Sequence, residues 1–562
     1  MRSQALPRRA RLRGDRPAAD GPLRWGPLAL LLLGAAIYAN SFRGTFLLDD
    51  FSSIHESLNA RTWWPLWAAI PIRKEIALAG RPIPSLSIAI NYALGGLDPL
   101  GYHLVNVGLH LLNALLLFGI IRRTLKRSRP AAEADWLALA ASSLWMVHPL
   151  ATDSVNYVIQ RTELFMAAFL LGTLYCVIRG AEAVPPRRGR WYAAAVVSCA
   201  LGMASKEVMV VAPLLVLLYD RIFLSASWKE VFARRERLHA GLAATWGLLA
   251  MLLSGHWRPT TAGFGLTTVR PWPYLLTQTG VLLLYLRLAA WPHPLVSDYM
   301  DWPMATSLAQ VWPAALGVAA LLGLTLWALR HRPAAGFLGA WSVLLLAPTS
   351  SVMPIASEFI AERRMYLPLA ALVVLVVVGV WRLLRRLAPH ASRRQWAIGL
   401  AVAALGMLSA ATIYRNADYA TEERILRDII AKRPANVTAH YNLGIALAGQ
   451  GDAAGAVAEF EETIRLDPGY AKGHNNLGVM LMRRGRYADA AAHYREASRL
   501  HPELWEPHSN MGELLFRQGR VDEGVEEFRE AVRLDPSAAK PREFLKAALQ
   551  MQQSRQGAPA AY

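Results

Sequence analysis

Apolar runs separated by short polar and basic segments make up the first three quarters of the chain. Twelve such runs are present, at 25–40, 102–121, 136–148, 163–178, 191–205, 208–224, 238–254, 273–291, 309–329, 334–349, 366–384 and 396–414. Several approach the roughly 20 residues that a helix needs to cross a bilayer. The pattern predicts an all-α, polytopic membrane domain over 25–414, preceded by a basic cytoplasmic segment, 1–24. The first run ends without a cleavage site, so we expect an uncleaved signal anchor.

The distribution of Lys and Arg predicts the orientation of these crossings. The run 273–291 carries Arg287 and ends in Trp-Pro-His-Pro, so we treat it as re-entrant or interfacial, which leaves eleven crossings. The predicted cytoplasmic loops then hold 28 Lys and Arg, and the outer loops hold 12. Because cytoplasmic loops retain positive charge, we expect the N-terminus inside and the C-terminal region outside. The Arg- and Ala-rich composition favours a bacterial inner membrane, with the C-terminal domain in the periplasm.

A repeat of 34 residues replaces the membrane pattern from residue 434 onward. The positions in register are Pro434, Pro468, Pro502 and Pro536; Gly444, Gly478 and Gly512; Gly451, Gly485 and Gly519; and Phe460, Tyr494 and Phe528. This period and these residue types are typical of the tetratricopeptide repeat, a stacked pair of helices. We expect a linker and half-repeat helix at 415–433, then repeats at 434–467, 468–501 and 502–535. A capping helix to 552 and a disordered tail, 553–562, follow.

Asparagine recurs at one position of each repeat, at Asn442, Asn476 and Asn510. A carboxamide both donates to and accepts from a peptide backbone, so this series could line a groove for acceptor proteins or peptides. The alternative is that asparagine is simply tolerated on the repeat surface. Histidines two residues earlier in each repeat do not have the spacing of a metal site.

Composition removes several classes of function. The 562 residues are 54% hydrophobic and carry 60 Lys+Arg against 41 Asp+Glu, a formal net charge of +19. Such a chain is neither disordered nor a small secreted module. The basic residues lie between apolar runs, where membrane orientation explains them, so we expect no nucleic-acid partner. The only cysteines, Cys176 and Cys199, lie inside apolar runs, and we expect no disulfide framework and no obligatory metal or cofactor.

Ionisable residues gather at the predicted outer ends of the crossings, on different segments. They are Asp49, Asp50, His148, Arg161, Glu163, Lys206, Arg363 and Arg364. Charged groups at membrane depth are costly and mark functional sites. Cations there can stabilise a lipid-linked phosphate as a leaving group, while a carboxylate takes the proton from an incoming hydroxyl. Because the chain has no glycine-rich phosphate loop, a polyprenyl-phosphate donor fits better than a soluble nucleotide sugar.

Structural alternatives exist for several of these residues. Asp49 and Asp50 could form an interfacial turn with a helix cap, and Arg363 with Arg364 could clamp a neighbouring glutamate. A polar stripe on the second crossing has the i, i+3 and i+4 spacing of interhelical hydrogen bonding. We expect this stripe to serve helix packing; it consists of His103, Asn106, His110 and Asn113.

The order of these motifs resembles that of the transmembrane-and-TPR O-mannosyltransferases and their bacterial relatives in the GT-C superfamily of glycosyltransferases. The motifs are Asp49-Asp50, His148-Pro149, Arg161-Thr162-Glu163, Ser205-Lys206-Glu207 and Glu362 to Pro368, followed by the repeats. The resemblance extends from about residue 25 to 550. It implies a GT-C-like fold and the inverting transfer of a mannose-like hexose from a polyprenyl-phosphate donor to a protein hydroxyl.

The resemblance also implies roles for individual residues. Asp49 or Asp50 would be the general base, and the phosphate and sugar of the donor would be bound by Arg161, Lys206, Arg363, Arg364, His148 and Glu163. Leu47 and Leu48 depart from the aromatic residue often found before the acid. Two other functions stay open, namely an oligosaccharide ligase or polymerase that moves preassembled glycans, and a non-catalytic membrane-anchored TPR scaffold.

Overall fold

The computed structural model describes residues 24–66, 78–254, 269–351, 353–355, 358–389 and 391–556. Within these ranges the chain folds into helices joined by turns and short irregular segments, which confirms the all-α prediction. Most of the predicted basic segment at 1–24 and residues 557–562 of the predicted tail lie outside the described residues. Residues 553–556 belong to the last described helix.

The helices fall into two groups along the chain. The first group is α1 (Gly26–Ile37), α2 (Pro82–Gly95), α3 (Pro99–Lys126), α4 (Ala131–Met146), α5 (Thr152–Asn156), α6 (Arg161–Glu182), α7 (Arg187–Met203), α8 (Ala212–Tyr219), α9 (Trp228–Leu253), α10 (Pro271–Ala290), α11 (Leu308–His331), α12 (Pro333–Leu346), α13 (Pro368–Leu387) and α14 (Arg393–Asp418). The second is α15 (Glu422–Lys432), α16 (Val437–Gln450), α17 (Ala453–Leu466), α18 (Ala471–Arg483), α19 (Tyr487–Leu500), α20 (Glu506–Arg517), α21 (Val521–Leu534) and α22 (Ala539–Gln556).

Five helical segments in the described ranges are long and apolar enough to cross a membrane. They are α3, the segment 158–182 that contains α6, α11, α13 and α14, and the shorter helices α1 and α12 are also apolar. The face of α11 shows why such a helix needs lipid around it, because Trp312, Leu316 and Trp327 are all exposed. The total of eleven crossings stays a prediction.

The segment predicted to be re-entrant or interfacial forms the continuous helix α10. This helix packs along α11 and also bonds loops at one end of the bundle: the Tyr274 hydroxyl donates to the Thr349 carbonyl at 2.7 Å. Fifteen residues later, the Ala289 carbonyl is 3.2 Å from Nε2 of His148. Both partners lie in loops at the end of the bundle where α4 and α12 stop. The re-entrant or interfacial placement of this helix stays a prediction.

Two members of the polar stripe on α3, His110 and Asn113, are used for packing between helices, as expected. His110 lies 2.7 Å from the Tyr366 hydroxyl through Nδ1 and 2.9 Å from the Met146 carbonyl through Nε2. Asn113 donates to the Leu164 carbonyl at 3.1 Å. In a bundle surrounded by lipid such groups must be satisfied internally, so these bonds fix α3 against its neighbours.

The tetratricopeptide prediction is confirmed by how each repeat packs. A Cβ atom added to Gly444, Gly478 or Gly512 would lie 2.6, 2.6 or 2.8 Å from the ring of Phe460, Tyr494 or Phe528, respectively. Only glycine lets the first helix of a repeat approach the aromatic ring of the second this closely. The 34-residue period therefore arises because each repeat needs the same close contact between its two helices.

The repeat array is joined closely to the membrane region. Only 419–421 separate α14 from α15, and beyond them Arg433 Nε donates to Asp301 Oδ1 at 2.5 Å. Lys432 Nζ donates to the Leu295 carbonyl at 2.8 Å. These contacts hold the array against the loop that follows α10.

We predict that Gly478→Ala loosens the central repeat, because its methyl group would overlap the Tyr494 ring. Overpacking of this kind costs about 1–3 kcal/mol. The measurement is hydrogen–deuterium exchange of α18 and α19 in the whole chain in detergent. The control is Gly449→Ala, where nothing lies within 4 Å of the added atom; it should leave exchange unchanged or slower. Equal exchange in the two variants would contradict the packing argument.

Candidate active site

The first loop makes a sharp turn immediately before its two aspartates. Leu48 has a φ of 43°, in the left-handed region that non-glycine residues seldom occupy. Such a residue stores on the order of 1–3 kcal/mol and persists only where its surroundings impose it. The turn gives Asp49 and Asp50, adjacent in sequence, different environments.

Asp50 is fully buried and anchors the loop. Its Oδ2 accepts a hydrogen bond from the Leu47 amide at 3.0 Å, and its Oδ1 accepts one from the Ile159 amide at 2.8 Å. Burial raises the pKa of Asp50 to about 8, although the two amides oppose this rise. Both carboxyl oxygens are therefore committed to the protein backbone.

Asp49 presents its carboxyl group at the surface of the same turn. Its backbone amide donates to the Tyr157 hydroxyl at 2.9 Å, while the side chain is exposed. Protein atoms nevertheless crowd the carboxyl group on most sides. This partial loss of water raises the pKa of Asp49, Glu358 adds to the rise, and Arg363 opposes it. Of the two aspartates, Asp49 is the one placed to meet a substrate.

Arg363 lies at the centre of the ionic groups near Asp49. Its guanidinium forms a salt bridge to Glu358 and is 3.3 Å from Asp153 Oδ2. Burial raises the pKa of Glu358, but Arg363, Arg364 and Lys206 outweigh it and lower that pKa. The loop before α13, the turn after α4 and the segment before α8 thus converge on the first loop, as the motifs suggested.

Arg364 donates hydrogen bonds to the loop that precedes it. Its guanidinium donates to the backbone carbonyls of Thr349 at 3.0 Å, Phe359 at 3.2 Å and Glu358 at 2.7 Å. Three carbonyls around one buried cation hold the loop in place. This geometry favours a structural role for Arg364, in which it holds the loop, over direct contact with a donor phosphate.

Arg161 lies deeper than a phosphate ligand would need to be. It is completely buried, and its guanidinium donates to Asn106, Asn91, Ser87 and the Tyr102 carbonyl at 2.8, 2.6, 2.9 and 2.9 Å. These groups come from α2 and α3, so the arginine joins both helices to the start of α6. The sequence pattern did not single out Ser87 or Asn91, because α2 carries no charged residue that would mark them.

Two further ion pairs lie beside α2 and α6. Lys206 Nζ forms a salt bridge to Glu163, and both side chains are mostly buried. Arg81 Nη2 contacts both carboxyl oxygens of Glu207, at 3.0 and 3.1 Å. Arg81 extends the predicted set, and its place directly before α2 matches the placement of the other ionisable motifs.

His148 caps the turn after α4. Its Nδ1 accepts from the Leu150 amide at 3.2 Å, and its Nε2 faces the Ala289 carbonyl. Since a carbonyl only accepts, the Nε2–H donates to it, which fixes a neutral imidazole. The residue therefore holds α10 against this turn.

The ranges that the structure describes contain no group of three or more His, Cys, Asp or Glu side chains arranged to hold a metal ion.

The repeat asparagines belong to a ladder of side-chain amides. Asn510 donates to Asn475 at 2.9 Å, Asn475 donates to Asn476 at 3.1 Å, and Asn476 donates to the Tyr441 hydroxyl at 3.2 Å. The ladder crosses from α20 through α18 to α16, and Asn442 lies on α16 at the equivalent position. The first helices of successive repeats are thereby joined by groups that can also bond a peptide.

The repeat histidines bridge the two helices within a repeat. His440 is 2.6 Å from Glu459 and His508 is 2.7 Å from Glu527. In the middle repeat, His474 instead pairs with His493 at 3.0 Å. These contacts account for the histidines through helix packing.

Comparisons with known proteins agree with this division of the chain. A family model described as dolichyl-phosphate-mannose-protein mannosyltransferase matches residues 81–257. A model described as tetratricopeptide repeat matches 414–471 and 473–539.

The similar proteins include two named protein O-mannosyl-transferases. The protein O-mannosyl-transferase TMTC4 of Mus musculus is 25% identical over 502 residues, which are 78% of this chain and 66% of that protein. The protein O-mannosyl-transferase Tmtc3 of Drosophila melanogaster is 27% identical over 507 residues, 76% of this chain and 54% of its own length. This chain thus spans slightly less than two thirds of the mouse relative.

Among solved structures, the crystal structure of ArnT from Cupriavidus metallidurans in the apo state is 14% identical, with a TM-score of 0.38 over 74% of this chain and 79% of that one.

The resemblance seen in the sequence motifs is confirmed by the family models and the named relatives. The chain is therefore similar to the TMTC proteins: an apolar helical region, part of which matches the mannosyltransferase model, precedes a tetratricopeptide array.

Proposed function

We propose that this chain is a GT-C-type membrane glycosyltransferase. It transfers a mannose-like hexose from a polyprenyl-phosphate donor to hydroxyl groups of acceptor proteins on the outer face of a bacterial inner membrane. The observation that carries the proposal is Asp49, a carboxylate exposed at a strained turn among converging ionic groups. The names of the relatives, protein O-mannosyl-transferases, support mannose and a protein acceptor.

Asp49 acts as the general base in this proposal. The acceptor hydroxyl attacks the anomeric carbon of the sugar from the side opposite the phosphate and gives its proton to the Asp49 carboxylate. The new glycosidic bond forms as the bond from the anomeric carbon to the phosphate oxygen breaks, which inverts the configuration. Polyprenyl phosphate leaves with the electron pair, and nearby cations stabilise its charge.

The contacts divide the other site residues into two groups. Lys206 and Arg363 are the cations assigned to the donor phosphate, since each lies in the ionic cluster around Glu358. Asp50, His148, Arg161 and Arg364 act as positioning groups, because their hydrogen bonds go to backbone groups or to neutral side chains. Glu163 positions Lys206 through their salt bridge.

The tetratricopeptide array presents the acceptor protein. In the amide ladder along the first helices of the repeats, Asn476 is partly exposed and can bond an acceptor, whereas Asn510 is buried and orders the ladder. Contacts such as Arg433 to Asp301 hold the array against the membrane region. An extended acceptor segment bound to the ladder would thus stay near Asp49.

We predict that Asp49→Asn lowers kcat for sugar transfer by about 10²–10⁴-fold, the contribution of a positioned general base. The fold should persist, because the Asp49 amide can still donate to Tyr157. The assay uses polyprenyl-phosphate mannose and a serine-rich acceptor protein. Glu56→Gln, an exposed acid in the same loop, is the control and should transfer normally. Unchanged transfer by Asp49→Asn would remove Asp49 from the chemistry and favour the scaffold.

The acid side of the pH profile should report the Asp49 carboxyl group. Because its pKa is raised above the ordinary value of about 3.9, kcat/KM should rise with pH through that higher pKa as the base ionises. Glu358→Gln removes a negative charge that raises this pKa, so the acid limb should move to lower pH. A limb that stays in place or moves to higher pH in Glu358→Gln would contradict the assignment, and Glu56→Gln should leave it unmoved.

The double variant Asn476→Ala with Asn510→Ala tests the acceptor groove. Each lost hydrogen bond is worth about 0.5–1.5 kcal/mol, so KM for a protein acceptor should rise about 5- to 150-fold for the pair. The kcat for a short hydroxyl-containing peptide should stay unchanged, since Asp49 is not affected. Gln518→Ala, an exposed carboxamide elsewhere on the array, serves as the control. An equal loss of kcat with both substrates would assign the asparagines to folding instead.

A further inference from the structure

A cavity lies away from the proposed active site. It has a volume of about 670 Å³ and is walled by side chains of α3, α6, α12 and α13, including Leu117, Leu171, Phe337 and Val374. This volume is within the roughly 300–1,000 Å³ range of ligand pockets. The walls are almost entirely apolar, so they suit hydrocarbon chains.

The polar part of the cavity lining is at one end and is cationic. It includes Arg127, Arg129, Arg332 and Arg382, and the described lining holds no Asp or Glu. Arg129 is paired with Glu133, and Arg127 donates to the Phe223 carbonyl at 3.3 Å. Arg332 and Arg382 are exposed, and among the described residues neither has a carboxylate within ion-pair distance. Two arginines are thus available to an incoming anion.

The cationic mouth is at the far end of the helices from Asp49. Along α3, Asn106 contacts Arg161 beside the proposed active site, whereas Arg127 follows the last residue of the helix. At 1.5 Å per residue these two positions are about 30 Å apart, the thickness of the hydrocarbon core. The Lys and Arg count predicts that this mouth faces the cytoplasm, where the leaflet is rich in anionic lipid.

The cavity also reaches the side of the bundle. Leu375 and Gly379 of α13 line it and are exposed, so this wall is open towards surrounding lipid. A Cβ atom added to Gly379 would have nothing within 4 Å. A hydrocarbon chain could therefore enter laterally while its headgroup stays at the mouth.

We propose that this cavity binds a membrane lipid with an anionic phosphate headgroup. The chains fill the apolar volume, and the phosphate is held by Arg332 and Arg382 through charge-assisted hydrogen bonds. A lipid fits better than a free anion, because most of the cavity surface is apolar and would gain nothing from inorganic phosphate. The proposal does not depend on the proposed function of the opposite end.

Native mass spectrometry of the whole chain tests the proposal. Protein in detergent micelles is loaded with equal amounts of dioleoylphosphatidylglycerol and dioleoylphosphatidylcholine, and the lipid that stays bound is counted. We expect retained phosphatidylglycerol, with the retained fraction reduced about tenfold or more in Arg332→Glu with Arg382→Glu. Arg386→Glu, one turn further along α13 and outside the cavity lining, is the control and should retain the lipid.

A second variant keeps the test decisive if the charge reversal prevents folding. Gly379→Phe fills the cavity without changing charge, and it should also reduce retained phosphatidylglycerol. Equal retention of the two lipids, displacement of phosphatidylglycerol by inorganic phosphate, or the same loss in Arg386→Glu would each overturn the proposal. So would full retention in both cavity variants.

Discussion

The membrane region depends on the hydrogen bonds of one buried arginine, which forms no ion pair with any residue that the structure describes. Arg161 lies inside the bundle, and its hydrogen bonds go to neutral groups on α2 and α3. In lipid a cation left unsatisfied would be very costly, so these bonds fix the two helices against the start of α6. The turn just before Arg161 supplies the Ile159 amide to Asp50, and Asp50 holds the turn that exposes Asp49. The position of Asp49, the proposed base, thus depends on the hydrogen bonds that stabilise Arg161.

Periodicity was sufficient to predict the tetratricopeptide array, because a contact that recurs in each repeat keeps the same residue types at the same spacing. The 34-residue pattern arises from a glycine against an aromatic ring, as at Gly478 and Tyr494, and any repeat that lost it would pack poorly. The grouping of ionisable motifs at one end of the bundle also followed from the order of apolar and polar segments. The roles of individual residues did not, because Asp49 and Asp50 have the same chemistry in sequence. An amide 109 residues away distinguishes them.

Side chains at the joint between the two regions fix the position of the repeat array relative to the membrane region. Arg415 near the end of α14 bonds Asp428 of α15 at 2.5 Å and Ser297 of the membrane loop at 3.0 Å. Tyr419 in the three-residue joint lies 3.4 Å from Asp153, which also contacts Arg363. A flexible linker would let the array diffuse away from the membrane surface. Here the same side chains bond both regions, so the acceptor that we propose would stay at a fixed distance from the ionic cluster.

The cations at one end of the bundle are paired with carboxylates, and the two exposed arginines at the other end are not. This difference suits different ligands. Near Asp49 the cations are already paired, as in Lys206 with Glu163 and Arg363 with Glu358. A paired cation attracts a phosphate more weakly than a lone one, because the carboxylate cancels part of its field. Weak attraction helps a transferase release polyprenyl phosphate after each turnover. At the opposite end Arg332 and Arg382 are not opposed by nearby carboxylates in the described structure, which favours an anionic lipid that stays bound.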